Sequence, residues 1–382
     1  MKKICVVTGT RAEYGLLFPL LEKLKNSNDF QLQLLVTGSH LSPEFGNTYE
    51  MIEADGFLID EKVEILLSSD SSIGISKSMG LAIISFSESL ERLKPDMVIV
   101  LGDRYEIFMA AAACSVARIP ISHLHGGETT EGAFDEAFRH SITKMSWLHF
   151  TSTEAYRQRV IQLGENPERV FNVGAIGIET INRLQLMTKS ELEGSLDLTF
   201  KENLYLVTFH PVTLENKSSE AQFKELVKSL DKLTDATIVF TKANSDTDGR
   251  IINQLIDEYV TRHADKAVAY NSMGQLRYLS AMKIATAVVG NSSSGIIEAP
   301  YFNVPTINIG DRQKGRIQAS TIINCEAEEL LIDEALNHAT VDSKTTGDSV
   351  HGEGNVSDQI IDQIKKSLDK GISLKKTFYD IK

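Results

Sequence analysis

Short apolar runs bounded by turn residues alternate along this chain with longer stretches whose apolar positions recur every three or four residues. Runs of the first kind suit strands buried on both faces, and those of the second suit helices that cover them. Their alternation predicts parallel strands joined by crossover helices. In the first half the strands fall at Lys3–Thr8, Gln31–Thr37, Met97–Leu101, Ile119–His123 and Leu148–Thr151. The helical stretches between them are Ala12–Asn26, Ile75–Lys94, Ile107–Ala117 and Asp135–Met145. After Val173-Gly174 and the segment around Ile178–Leu186 the pattern restarts, with strands at Asn203–Phe209, Ala236–Thr241, Ala267–Ala269, Thr286–Val289 and Thr306–Ile309. The expected class is α/β, with two doubly wound domains over 1–173 and 174–358. Gly174 is the expected hinge, and the polar stretch from Thr188 to Glu202 reads as an exposed joint. Two such domains facing each other would set their βα loops around one cleft.

Composition narrows the function. A chain of 382 residues is too long for one ordinary core and fits two domains of roughly 150–200 residues each. No apolar run approaches the ~20 residues that cross a bilayer, and the start Met1-Lys2-Lys3-Ile4 leads into a strand, so a cytoplasmic location is expected. Cys5, Cys114 and Cys325 are scattered, without the spacing of a disulfide framework or a metal site, and read as packing residues. A net charge of −13 argues against nucleic acid or an anionic membrane as partner, because both require a broad basic face. An anionic small molecule would have to be met by a few placed Arg, His and backbone N–H groups.

The chemistry gathers where strands end. Val289-Gly290-Asn291-Ser292-Ser293-Ser294-Gly295-Ile296-Ile297-Glu298 runs a strand into a Gly/Ser loop that opens a helix, with Glu298 expected on its first turn. Unpaired N–H groups, hydroxyls and the positive dipole end hold a phosphate there without a metal, while Glu298 suits two sugar hydroxyls. The plainer alternative is a solvated turn with Ser as N-cap. In the first βα turn, Thr8-Gly9-Thr10-Arg11 places Arg11 for a phosphate, with no dinucleotide or Walker fingerprint. Gly102-Asp103-Arg104 ends another strand, although Asp103 could equally cap a helix. The next loop holds His123, His125 and Glu128, followed by Asp135, Glu136, Arg139 and His140. So many ionisable groups on successive loops supply candidates for an acid and a base, against the alternative that Asp135 and Glu136 only favour a helix N-terminus. In the second half His210-Pro211 stands at a strand end, where imidazole could carry positive charge to a leaving phosphate, and Arg312 offers another cation. Asp246 and Asp248 imitate a metal-holding D-x-D, but the serine loop makes a metal unnecessary and no third ligand is evident, so neither metal nor cofactor is expected.

Six ordered motifs carry a resemblance over nearly the whole chain: Thr10-Arg11-Ala12-Glu13-Tyr14, Gly102-Asp103-Arg104, His123 to Glu128, Asp135 to Lys144, Phe209-His210-Pro211-Val212-Thr213 and Gly290-Asn291-Ser292-Ser293. Together they are similar to the hydrolysing UDP-N-acetylglucosamine 2-epimerases of sialic acid biosynthesis. The resemblance implies two Rossmann-like domains in the glycosyltransferase B arrangement, with a final helix, about 359–382, crossing back to the first domain. It implies UDP on the second domain, the sugar in the cleft, and elimination of UDP to a 2-acetamidoglucal followed by hydration to N-acetylmannosamine. It places Asp103 and Asp135 on the catalytic carboxylates and His210 on the phosphate-side histidine. Arg11, Asn244, Ser292, Ser293, Glu298 and Arg312 fall on nucleotide-binding positions. Arg104, Glu128, Glu136 and Arg139 are the remaining candidates to hold substrate. One position departs: many members carry Glu where this chain has His125. Either imidazole takes over that proton transfer, or the chain acts on a related sugar, a UDP- or GDP-linked 2,4-diacetamido-trideoxyhexose.

Two other classes fit the architecture: a sugar transferase of the same fold, and a non-catalytic nucleotide-sugar sensor. A homo-oligomer, dimer or tetramer, is also expected. Ile75–Lys94 carries Met79, Leu81, Ala82, Ile83, Ile84 and Phe86 on more than one face, as a subunit contact or a plain core helix would. No fused sugar-kinase domain is expected.

Overall fold

The computed structural model describes every residue except 68, 70, 130–133, 213–217, 244–248, 342–351, 353 and 382. Its contacts divide the chain into two compact units. Met1–Glu128, Asp135–Asn182 and His351–Lys382 form one, Thr129–Phe134 and Arg183–Val350 the other. The division falls after Asn182, past Gly174 with its φ of 88°.

Among the described residues the first unit holds seven parallel strands: β1 (Lys2–Thr8), β2 (Phe30–Thr37), β3 (Glu61–Val63), β4 (Met97–Leu101), β5 (Ile121–Leu124), β6 (Leu148–Thr151) and β7 (Val170–Asn172). Their order is β3-β2-β1-β4-β5-β6-β7. Alternation along β1 shows why both faces are covered. Ile4 and Val6 pack with Leu17, Leu20 and Leu24 of the helix Arg11–Lys25, while Cys5 and Val7 pack on the opposite side with Phe86, Leu90, Ala111 and Cys114. The helix Val356–Lys370 lays Val356, Ile360 and Ile364, one apolar stripe at spacing four, into the first of these layers. Lys23 pins its start, pairing with Asp358 at 2.7 Å and Glu179 at 3.1 Å. The expected final helix is real but ends at Lys370, where Gly371 has a φ of 84°. Beyond it the described residues form neither helix nor strand, and Lys376 reaches the buried Glu165 at 2.6 Å.

The second unit holds β8 (Asn203–Thr208), β9 (Ala236–Thr241), β10 (Ala267–Tyr270), β11 (Ala287–Gly290), β12 (Thr306–Ile309) and β13 (Ile322–Cys325), parallel, in the order β10-β9-β8-β11-β12-β13. Tyr205 and Val207 face Phe223, Leu226 and Ile256, while Leu204 and Leu206 face Leu192, Ala281 and Met282.

The stretch after Thr188 is not the exposed joint expected. Thr188 and Glu191 form a capping box that starts a helix, Lys189–Leu196, which buries Leu192. β3, β7 and β13 were not anticipated, because three or four residues with charged or polar members give too short a pattern. The three cysteines are free, Cys5 and Cys114 fully buried. On the helix Ser72–Leu93, Ala82 and Phe86 are buried, whereas Leu81, Ile83 and Ile84 are exposed. Among the described residues no helix is long and apolar enough to cross a membrane.

Candidate functional site

In a parallel doubly wound sheet all strands end on one edge, and the loops flanking the reversal of strand order open the natural crevice. In the first unit that reversal lies between β1 and β4. The turn Gly9-Thr10-Arg11 follows β1, Gly102-Asp103-Arg104 follows β4, and His125 to Glu128 follows β5.

Arg139, on the helix Asp135–Met145, binds these loops together. It is 2% exposed, donates to a carboxylate oxygen of Asp103, to Glu136 Oε2 at 2.9 Å and to the Glu128 carbonyl at 3.0 Å. Burial works against its charge, yet Asp103, Glu128, Glu136 and Asp135 together hold its pKa above the ordinary arginine range. Glu136 also meets His140 Nε2 at 3.0 Å. Arg139 and Glu136, both candidates to hold substrate, are thus engaged with protein partners. Asp135 opens the same helix as its first residue.

His125 sits in the left-handed backbone region, with a φ of 63° that few non-glycine residues adopt. Its Nδ1 lies 2.9 Å from Glu128 Oε1, and its Nε2 accepts from the Ile176 N–H at 3.4 Å. Since a carboxylate requires a donor and an N–H an acceptor, these partners select the neutral tautomer with its proton on Nδ1. Glu128 is 3% exposed and accepts a second bond from Ser152 at 2.9 Å, so it orients the imidazole. His123, by contrast, is structural. Its Nε2 reaches the Gly102 carbonyl at 2.7 Å and its Nδ1 reaches Thr143 at 3.1 Å, while burial pushes it down to about 3.

Arg11 begins its helix, where a cation opposes the dipole. Among the described residues its guanidinium makes no hydrogen bond or ion pair. Burial lowers its pKa to about 10, with Asp55 and Tyr14 pulling the other way. A partly buried cation with no ion pair among the described residues suits an anionic ligand. Arg104 instead donates to Glu106 at 2.7 Å.

In the second unit the reversal lies between β8 and β11. Gly290, at φ 130°, lets these strand ends meet, because a Cβ there would collide with the Thr208 carbonyl. The next residue, Asn291, is wholly buried. Its Oδ1 accepts from the His210 N–H at 2.7 Å, its Nδ2 donates to the His210 carbonyl at 2.8 Å, and its own carbonyl accepts from Arg312 at 3.1 Å and Gln313 at 2.8 Å. One residue, through its side-chain amide and its backbone carbonyl, therefore ties the loops after β8, β11 and β12 into one frame. Ser292 caps the short helix Ser293–Ile297 through the Ser294 N–H at 3.4 Å, and the Ser294 hydroxyl meets Tyr278 at 2.6 Å. Burial raises the Tyr278 phenol to about 12, with Glu298 adding to the rise. Glu298 is 9% exposed and stands at the C-terminal end of this helix, not on its first turn, because the helix already starts at Ser293, inside the serine run.

The structure thus brings Asp103, Glu136 and Arg139 together, His125 with Glu128, and His210 with the serine loop and Arg312. Asn244, Thr213, Asp246 and Asp248 lie outside the described residues. Among the described residues no group of three or more His, Cys, Asp or Glu could hold a metal ion. Asn291, Gln313, Tyr278, Ser152, Glu13 and Glu106 escaped the sequence reading. Asn291 was visible inside a motif, but its bonds to His210 span 81 positions and leave no local trace.

A family model described as UDP-N-acetylglucosamine 2-epimerase matches residues 22–365. The chain is 48% identical over 329 residues to a GDP/UDP-N,N'-diacetylbacillosamine 2-epimerase (hydrolyzing) of Campylobacter jejuni, covering 86% of this chain and 85% of that one. It is 35% identical over 365 residues to a UDP-N,N'-diacetylbacillosamine 2-epimerase (hydrolyzing) of Legionella pneumophila, covering 96% of each. Its fold is similar to a crystal structure of the Methanocaldococcus jannaschii UDP-GlcNAc 2-epimerase in complex with UDP-GlcNAc and UDP, with a TM-score of 0.81 at 19% identity, covering 96% of this chain and 100% of that one.

Proposed function

Because the chain belongs to the UDP-N-acetylglucosamine 2-epimerase family, we propose that it is a hydrolysing 2-epimerase, taking a nucleoside-diphosphate-linked 2-acetamido sugar and water to the free C2-epimeric sugar and the nucleoside diphosphate. The sugar is a 2,4-diacetamido-trideoxyhexose of the N,N'-diacetylbacillosamine type, carried by UDP or GDP. Support for that sugar comes from the names of the two relatives at 48% and 35% identity and from the imidazole of His125. UDP-N-acetylglucosamine is the second reading, favoured by the family model's own description.

A proton on C2 of a 2-acetamido sugar is weakly acidic, so its removal must be coupled to departure of the C1 oxygen. As a base takes that proton, the C1–O bond breaks, its electron pair leaves with the diphosphate, and a C1=C2 double bond forms. Water then adds its oxygen at C1 while C2 receives a proton on the opposite face. In this reading Asp103, His125 and Asp135 share the proton transfers. The neutral His125, with its proton on Nδ1, presents a basic Nε2 that can exchange the Ile176 N–H for a substrate proton. Arg11, His210, the Ser292/Ser293 loop and Arg312 receive the growing diphosphate charge, Glu298 takes the ribose hydroxyls, and Asn244 is a further nucleotide contact. Glu128, Glu136 and Arg139 keep the proton-transfer groups aligned. What carries the reading is the carboxylate and the imidazole on neighbouring strand ends, each held by a buried partner, Arg139 and Glu128.

Release of nucleoside diphosphate from UDP- and GDP-linked N,N'-diacetylbacillosamine and from UDP-N-acetylglucosamine tests the proposal. A kcat/KM at least about tenfold higher on one of the diacetamido substrates is expected, the scale of one well-placed polar contact. Equal or better turnover of UDP-N-acetylglucosamine overturns the sugar assignment, and no release from any of them overturns the whole reading.

A further inference from the structure

Two buried glutamates that take no part in the chemistry above lie against the first βα turn. Glu13 is 8% exposed and Glu106 1%. The Gly9 N–H donates to Glu13 Oε2 at 2.7 Å, and on the same residue a Cβ would come within 2.6 Å of Glu106 Oε1. Gly9 therefore leaves room for one carboxyl and binds the other. Arg104 donates to Glu106 Oε1 at 2.7 Å, whereas Glu106 Oε2 is buried with no hydrogen-bond partner. Two carboxyls thus share the Arg104 guanidinium, and among the described residues no second cation pairs with them. The other charges nearby are directed elsewhere: Arg11 faces Asp55 and Tyr14, and the neutral His40 lies between Thr8 and Thr48. A buried group in this situation neutralises itself by taking up a proton.

We propose that Glu13 and Glu106 hold one proton between them, so that the pair carries a single negative charge matched by Arg104 and acts as a positioning device joining the Gly9–Arg11 turn to the Asp103–Arg104 loop. Burial first, and Glu106 second, raise the Glu13 carboxyl above the ordinary range, against Arg104 and the Gly9 and Thr10 N–H groups. The Gly9 N–H is occupied from within by Glu13, leaving phosphate contact in this turn to Arg11.

Infrared difference spectroscopy at neutral pH, wild type minus E13Q, tests the charge state without reference to activity. The expected signal is one protonated-carboxyl carbonyl stretch that shifts in D2O and is lost in E13Q, with E106Q losing the same band should E13Q fail to fold. No such band in either difference overturns the proposal. Folding takes up this proton, so wild-type stability is greatest below the ordinary glutamate pKa and falls relative to E13Q as pH rises through the raised one. Parallel stability profiles count against it. The activity arm rests on the epimerase reading: kcat/KM of the wild type declines as the shared proton ionises, E13Q keeps the low-pH level without that limb, E13A also lacks the limb but stays low because the Gly9 N–H loses its acceptor, and E106Q loses about tenfold at every pH because Arg104 loses the Glu106 charge. An alkaline limb identical in wild type and E13Q contradicts the positioning role.

Discussion

Replacing Arg139 with Met removes one guanidinium and leaves all of its acceptors in place. The Arg139 side chain is 3% exposed, Asp103 20% and Glu136 25%. Removing one side of a fully buried ion pair costs about 3–5 kcal/mol, and the partial exposure of both carboxylates points to the lower end. The Glu128 carbonyl, left without its donor, adds about 1 kcal/mol, while the Met stem retains most of the packing. A loss of about 3–4 kcal/mol is therefore expected, which for a unit of this size lowers Tm by about 6–16 °C. Trp147, the chain's single tryptophan, lies in this unit against Arg169 and the Ser373 carbonyl, so its fluorescence during urea unfolding reports the unit directly. R139K should fall between wild type and R139M, because an ammonium cannot reproduce a planar fork. An R139M variant that loses less than about 1 kcal/mol at unchanged m-value would refute the view of Arg139 as the fastening of this site.

D103N should cut turnover by about 10²–10⁴ while leaving UDP affinity near that of the wild type, and parent-like turnover would remove Asp103 from the chemistry. E298A should weaken UDP binding by about tenfold in calorimetry, and unchanged affinity would refute the ribose contact. Glu165 loses charge stability by burial, but His149, Lys144 and Lys376 outweigh that and take its pKa down to about 2. Since its folded pKa is depressed, this contribution is present above the ordinary glutamate value and disappears as pH falls toward about 2. An acid-unfolding curve for E165Q that parallels the wild type over that window would show that the tail contact through Lys376 contributes nothing.

Strands buried on both faces were the most legible part of the sequence. β4, β6, β9 and β12 lie at the bounds their short, largely apolar runs predict, unbroken in β4 and carrying buried polar residues such as His149, Thr237 and Asn308 in the others. The edge strands β3 and β13 were not legible, since pairing on one side demands little of their composition. The chemistry-bearing loops were found because each follows a strong strand, but the partners of their side chains were not. Arg139 reads in sequence as a candidate to hold substrate. Only the adjacency of β4 and β5 reveals that it faces Asp103, 36 positions away. Glu298 falls past the first turn because the serines expected in the loop cap and open the helix themselves, at Ser292 and Ser293. Glu13 carries no mark in the sequence beyond its place in a motif, because the packing of Gly9 between it and Glu106 is not encoded in sequence spacing.

The most direct test is proton NMR of the purified protein in D2O with UDP- or GDP-linked N,N'-diacetylbacillosamine and no acceptor present. Elimination followed by hydration predicts free sugar epimerised at C2, with deuterium at that carbon, appearing in step with nucleoside diphosphate. Free sugar that keeps its C2 hydrogen and configuration would mean simple hydrolysis and would contradict the mechanism.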